Sequence, residues 1–532
     1  MINDWLERRR LVRKGLACDK TRLSHPDESM QGHLECSWLT RLIILGVFIV
    51  LLHLGVAWPW GSSRSDTRED QLLAFIVFIS GLMLLELDSP EVWRSNSKLI
   101  LILGAVWFNL VVVKDLYLGL ARHPGYLDYF YFVSPCTFAP FLIAILLGAR
   151  AGLFAVLQVS MIGSLLVHRD FKYLLISLLA GFTAVYFTQN VRKRVDLIKA
   201  GLAVGALNLF CAVMLGLILQ RHWNTLGLQG LLGVGAGILT AMVVSWILPL
   251  VEGAFQITTT ISWIELADLN HPLLQQMTME APGTYHHSLM VANIAEAGAK
   301  AIGLDATACR VLAYFHDIGK IIKPEYFTEN IPPGVDPHEN LSPSMSALII
   351  VAHVKEGIDL ALKYKLKKPV LDAIQQHHGD SVVSFFHKRA LQQQQDAREG
   401  GKIMNMREED VPEVSENSFR YPGPRPQTKE IALVSLADAV EAASRSLEKP
   451  TPQRIEDLVN EIVAHKIADH QLDECHLTMN EIRAAAEAMA VTVKNMMHSR
   501  ISYAKKDKSG ASTVVQSTKR SSHTGTSASA AA

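Results

Sequence analysis

The sequence has no surplus of charge: its 51 Lys and Arg are matched by 51 Asp and Glu. That balance removes the basic signature of a protein that coats a nucleic acid polymer, and no such partner is expected. Its six cysteines, Cys18, Cys36, Cys136, Cys211, Cys309 and Cys475, contain no Cys-x-x-Cys pair. A disulfide framework and a thiolate zinc site are disfavoured, and reduced thiols in a cytosolic or membrane setting fit better. The C-terminal half lacks the alternating pattern of strands, which points away from a sheet. Its 532 residues would make about three ordinary domains, but the apolar residues are too unevenly spread for that.

Residues 1–38 are polar and include Arg8, Arg9, Arg10, Arg13 and Lys14. From Leu39 long apolar runs begin, and spans are expected near 39–60, 71–87, 98–120, 128–149, 151–167, 173–190, 200–219 and 226–250. Each approaches the ~20 residues that an α-helix needs to cross the hydrocarbon core. The first begins too far along, and has too many followers, to be a cleaved signal peptide. Eight crossings put the N-terminal cluster and Arg192-Lys193-Arg194, with Lys199, on one side. The positive-inside rule makes that side the cytoplasm, and the same parity delivers the chain after Leu250 there. The expected location is a bacterial-type cytoplasmic (inner) membrane, with the lipid bilayer as partner of residues 39–254. Lys114 and Asp115 are expected to reach the interface at the outer end of the third span. Asn109 and Asn208 sit at costly depth, where polar groups bond helix to helix or line a pocket for an unidentified small ligand. The loop at 61–70 is too short for an outer domain.

The rest reads as an all-α arrangement: an amphipathic junction at 255–280, a helical domain at 281–502 and a disordered tail at 503–532, rich in Ser, Thr, Ala and Lys. It is organised around Tyr314-Phe315-His316-Asp317-Ile318-Gly319-Lys320. Asp305 can cap the preceding helix, and Gly319 is expected to end it in the left-handed conformation. Ser342-Pro343 opens another helix that carries His353. A helix from Pro369 ends in Gln376-His377-His378-Gly379, and one from Thr428 carries Asp438, Glu441 and Arg445. Residues 388–427 read as polar and irregular, and Thr478 with Glu481 makes a capping box for the last helix. A lone histidine on an apolar helix face is usually a satisfied core residue. Here His287, His316, Asp317, His353, His377, His378 and Asp438 come from five helices that could converge. Imidazoles beside carboxylates suit a pair of mid-hardness divalent ions bridged by Asp317 and a water.

Several stretches resemble the HD phosphohydrolase superfamily, and specifically the membrane-bound seven-transmembrane-receptor HD family, whose characterised members hydrolyse cyclic di-AMP. They are Pro282-Gly283-Thr284-Tyr285-His286-His287-Ser288, the run at 316–320, Asp336-Pro337-His338-Glu339-Asn340 and His353-Val354-Lys355-Glu356-Gly357. Gln376-His377-His378-Gly379, Tyr421-Pro422-Gly423-Pro424-Arg425-Pro426 and the stretch from Leu436 to Ala443 complete the set. Their order agrees over roughly residues 255–500. The resemblance implies one metal on His287, His316, Asp317 and Asp438 and another on Asp317, His353, His377 and His378, with manganese or iron as the ions. Asp317 and Lys320 are the expected catalytic residues, Lys320 being placed to add a donor to a non-bridging phosphate oxygen. Lys320, His338 and Arg425, the last two as loop residues able to reach a pocket, are the candidate contacts to a cyclic dinucleotide substrate. The expected activity is a metal-dependent phosphodiesterase that converts cyclic di-AMP to linear pApA. Alternatives are hydrolysis of cyclic di-GMP or a guanosine alarmone, or nucleotide binding without turnover. The Gly-Tyr-Pro motif of the related cyclic di-GMP subfamily is absent. Three departures stand: Asp336 where relatives often have Asn, Asp380 where they often have Thr, and no large outer domain after the first span.

Overall fold

A computed structural model of the protein describes residues 34–57, 64–189, 191–332, 334–403, 414–447 and 451–498. The N-terminal basic cluster and the expected disordered tail lie outside the described residues. Among the described residues the chain is helical, apart from one isolated antiparallel bridge between Val382 and Arg420.

Among the described residues eight stretches are long and apolar enough to cross a bilayer, and the chain is a multi-pass membrane protein. They are α1 (Trp38–Ala57), α2 (Arg64–Asp88), α3 (Asn96–Ala121), a broken fourth span that ends in α4 (Phe138–Leu147), α5 (Ala149–Leu166), α6 (Phe171–Thr188), α7 (Arg194–Ile218) and α8 (Trp223–Phe255). Large apolar side chains such as Leu42, Val47, Leu231 and Trp246 face outward, as lipid contact requires. Inside, small residues let backbones meet: a Cβ on Gly237 would lie 2.5 Å from the Gly201 carbonyl oxygen, so α7 and α8 pack directly. Asn109 bonds helix to helix, donating to Pro135 O at 3.0 Å and accepting from Ala139 N at 2.8 Å. Lys114 departs from expectation. It is 8% exposed and donates to the Gly55 and Val56 carbonyls at the end of α1. The ammonium is thus held by backbone carbonyls and buried against the end of α1.

Next come α9 (Thr260–Leu266), α10 (Pro272–Glu280), α11 (Pro282–Ala301), α12 (Ala306–Phe315), α13 (Pro343–Lys363), α14 (Lys368–Gln376), α15 (Ser384–Ile403), α16 (Lys429–Ser444), α17 (Pro452–Ala468) and α18 (Met479–His498). Their starts are written in the sequence. Ser342 accepts from Met345 N, Thr428 from Ile431 N, and Thr478 with Glu481 forms a reciprocal capping box. Val291, Leu312, Phe315, Leu433 and Met489 belong to one continuous core. The stretch expected to be irregular from 388 is helical as far as Ile403. Ahead of its Gln run the helix is anchored by Phe386 and Ala390, which pack with Ala347 and Phe419.

Two contacts fasten this core to the membrane helices. Arg194, at the start of α7, pairs with Glu265 of α9 at 2.9 Å. Glu252, buried near the end of α8, accepts from Thr259 N at 3.1 Å, Ser262 Oγ at 2.6 Å and Lys367 Nζ at 2.8 Å. Lys367 is the residue before α14, the helix that ends at His377.

Candidate metal centre

Asp305 caps α12 by accepting from Thr307 N and Ala308 N, and the buried face of that helix drives its last turn into the core. His316 follows the helix, and Asp317 opens a 3₁₀ turn at Ile318–Ile322. Gly319 does not adopt the expected left-handed conformation. It is small because the turn lies on α13: a Cβ there would sit 1.9 Å from His353 O and 2.6 Å from Gly357 N. That backbone-to-backbone contact sets Asp317 against His353.

The two oxygens of Asp317 face different partners. Oδ1 lies 3.4 Å from His353 Nε2 and 3.6 Å from His377 Nε2. Oδ2 lies 3.2 Å from His316 Nε2 and 3.5 Å from His287 Nε2. Asp438 Oδ1 approaches His287 Nε2 at 3.0 Å, and its Oδ2 lies 3.8 Å from His378 Nδ1. Two four-residue groups result, Asp317, His353, His377, His378 and His287, His316, Asp317, Asp438, each with ligand atoms within 4.8 Å of one another. All seven residues named from the sequence as metal ligands come together.

Four of their atoms are buried without a hydrogen-bond partner, Asp317 Oδ1 and the Nε2 atoms of His316, His353 and His377, while Asp317 Oδ2 has the Lys320 ammonium beside it. Each of those three rings places Nδ1 within hydrogen-bond distance of a carbonyl of its own helix, at Ala313, Ile350 and Ile374 respectively. With Nδ1 as the donor, Nε2 is the end of each ring left to face the centre, and it offers a lone pair whenever the ring is neutral. Burying so many unpaired acceptors in one place is costly unless a cation sits among them. The donor set therefore fits divalent metal, and mixed imidazole and carboxylate donors match ions of intermediate hardness.

The two groups differ electrically. Burial opposes the His316 charge, but Asp317 and then Asp438 raise its pKa to about 9. Burial lowers His353 to about 4, with only partial opposition from Asp317. His378 is likewise pushed down, by burial and then by His377. Burial also works against the Asp317 anion, yet His316 and Lys320 hold its carboxyl well below the ordinary range.

Lys320 Nζ lies 2.7 Å from Asp317 Oδ2 and 2.9 Å from Glu329 Oε1. Glu329 is tied in turn to Thr284 Oγ1 at 3.1 Å. His338 and Arg425 lie outside both groups of candidate ligands. His338 places Nε2 2.9 Å from Tyr326 O, and Arg425 pairs with Asp380 at 3.0 and 3.2 Å, where Gln471 also donates. The Tyr421 ring stacks on His378 with centroids 4.3 Å apart. Glu329 and Gln471 were not singled out from the sequence, and the Tyr421 stretch was noted there without its stack on His378.

A polytopic helical membrane block followed by a helical domain centred on a His-Asp doublet defines a membrane protein with an HD-type domain. Comparison with known proteins agrees. A family model described as a 7TM receptor with intracellular HD hydrolase matches residues 71–259, and an HD domain model matches residues 284–443. The chain belongs to that family of seven-transmembrane receptors with an HD hydrolase domain. It is 34% identical over 442 residues to the cyclic-di-AMP phosphodiesterase PgpH of Bacillus subtilis (strain 168), covering 81% of this chain and 59% of that protein. It is 36% identical over 380 residues to PgpH of Listeria monocytogenes, covering 70% of this chain and 50% of that one. The chain thus spans little more than half the length of these relatives. A crystal structure of the L. monocytogenes PgpH HD domain is 38% identical, with a TM-score of 0.39, and covers 43% of this chain and 100% of that one.

Proposed function

We propose that the chain is a membrane-anchored phosphodiesterase that hydrolyses a cyclic dinucleotide, cyclic di-AMP to pApA, with two divalent ions, manganese or iron. The observation that carries the reading is Asp317: one oxygen faces His353 and His377 and the other faces His316 and His287, all of them buried. One ion would take His287, His316, Asp317 and Asp438, and the other Asp317, His353, His377 and His378. Bound there, divalent ions supply an activated water and neutralise charge on the phosphodiester oxygens. The protein's own part is orientation. The own-helix carbonyls fix three imidazole tautomers, Lys320 adds a positive charge beside Asp317, and Asp380 holds Arg425 in place. Lys320, His338 and Arg425 are the proposed substrate contacts. The substrate assignment is supported by the PgpH relatives, whose names give cyclic di-AMP.

The domain division follows the sequence reading: membrane helices in 39–254, a junction at 255–280 and the hydrolase domain at 281–502. The catalytic half is assigned to the cytoplasmic face. Basic Arg192, Lys193 and Arg194 mark that face, and Arg194 touches Glu265 of the junction. The test is the purified full chain in detergent with Mn²⁺, offered cyclic di-AMP, cyclic di-GMP and a guanosine alarmone. Release of pApA from cyclic di-AMP at the highest rate is expected. Faster turnover of another nucleotide would reassign the substrate, and binding without product would leave a receptor.

A further inference from the structure

Three of the four histidines that aim Nε2 at the centre share one device, and the fourth does not. His316, His353 and His377 each direct Nδ1 to a carbonyl three residues back on their own helix, at 2.8, 2.6 and 2.9 Å. His287 directs Nδ1 to a carboxylate, Glu441 Oε2, at 2.6 Å, from a residue 154 positions away in the chain. Glu441 is 5% exposed, and its other oxygen accepts from Arg445 Nε at 2.8 Å. Asp438, Glu441 and Arg445 are spaced three and four residues apart on α16, so they share one helix face. That face therefore presents a candidate ligand, the acceptor that orients a second ligand, and the cation that holds the acceptor.

We propose that Glu441 is a positioning residue that fixes the His287 tautomer and makes the group of His287, His316, Asp317 and Asp438 the tighter of the two metal sites. The inference rests on the two-ion reading above. A metal takes the Nε2 lone pair only if the ring proton is on Nδ1. A carboxylate holds that proton there more firmly than a carbonyl does, and leaves Nε2 the stronger donor. Arg445 makes the arrangement one-way. A glutamine at 441 has one acceptor and one donor end. If its oxygen faced His287, its NH₂ would confront the Arg445 N–H; turned over, its NH₂ would face Nδ1 and demand the tautomer that blocks Nε2.

The test is Mn²⁺ binding to the full chain in detergent, measured by calorimetry for wild type, Glu441→Gln and the double variant Glu441→Gln/Arg445→Met, with thermal unfolding alongside. Wild type should bind two ions. Glu441→Gln should weaken one of them by about 10- to 100-fold and leave the other as it was. In the double variant the amide oxygen is free to accept from His287, and most of that loss should be recovered. If Glu441→Gln binds both ions as wild type does, or if the double variant is as weak as the single one, the assignment is overturned. Should Glu441→Gln fail to fold, the double variant still decides, because a folded double variant lacking the tighter ion contradicts the tautomer argument. A wild-type protein that takes up fewer than two ions would instead overturn the two-ion reading itself.

Discussion

Gly319→Ala adds a single methyl group to the turn that places Asp317. That methyl would lie 1.9 Å from His353 O, where ordinary contact begins at 3.4 Å, so the turn and α13 must part by about 1.5 Å. A second obstruction, Gly357 N at 2.6 Å, blocks escape along the helix. Overpacking of a filled core costs about 1–3 kcal/mol, which a protein of this size can survive. The functional loss should be larger. Asp317 Oδ1 and His353 Nε2 are 3.4 Å apart across this same contact, so the separation falls directly on the proposed ligand geometry. Misplacement by about 1 Å is worth about 10²-fold in rate. The assay is Mn²⁺-dependent release of pApA by the full chain, with thermal unfolding measured in parallel. Gly227→Ala serves as control, since a Cβ there meets nothing within 4 Å. A Gly319→Ala protein with wild-type turnover would refute the claim that this contact sets the centre.

Three further predictions follow from charge and burial. Asp317→Ala should lose bound metal and turnover together; a variant that keeps full activity would show that the carboxylate does not serve both ions. In the metal-free protein the raised pKa of His316, about 9, contributes stability that is complete below about pH 6.5 and is lost as pH rises through 9. The lowered pKa of His353, about 4, acts in the opposite sense: its contribution is present above about pH 6.5 and is lost as pH falls through 4. EDTA-treated protein should therefore melt at lower temperature at pH 9 than at pH 6.5, while the gain on adding Mn²⁺ grows over that range because the ion displaces the His316 proton; a flat difference would contradict this. Lys367→Met would leave Glu252 buried without its cation. Removing one partner of a fully buried pair costs about 3–5 kcal/mol, and the 31% exposure of the Lys367 side chain reduces this to about 1–3 kcal/mol. Hydrogen exchange across residues 368–376 should then quicken, and an unchanged rate would deny that the membrane helix braces α14.

Much of this was legible in the chain because it is local. Apolar runs of helical length mark the spans, and Ser342, Thr428 and Thr478 announce their helices by hydrogen bonds within three residues. The proposed ligand residues were legible for a different reason: histidine and aspartate are conspicuous at helix ends and on faces otherwise suited to a core. What stayed hidden depends on pairing across the fold. The spacing of Asp438, Glu441 and Arg445 on one helix does not say which pairs with which, and the packing of α11 on α16 shows Glu441 taken by His287 and Arg445 by Glu441. Lys114 near a span end was read as reaching the interface, and the two carbonyls at the end of α1 that bury it could not be read from the chain. Gly319 suggested a helix exit because glycine tolerates left-handed backbone, whereas its role is to let two backbones touch.

The central claim is that Asp317 stands between two ions. Anomalous scattering at the manganese edge, from crystals of the protein grown with Mn²⁺, tests it most directly. Two peaks should flank the Asp317 carboxylate, one beside His287, His316 and Asp438 and the other beside His353, His377 and His378. A single peak, or peaks that leave either Asp317 oxygen without a metal neighbour, would contradict the account.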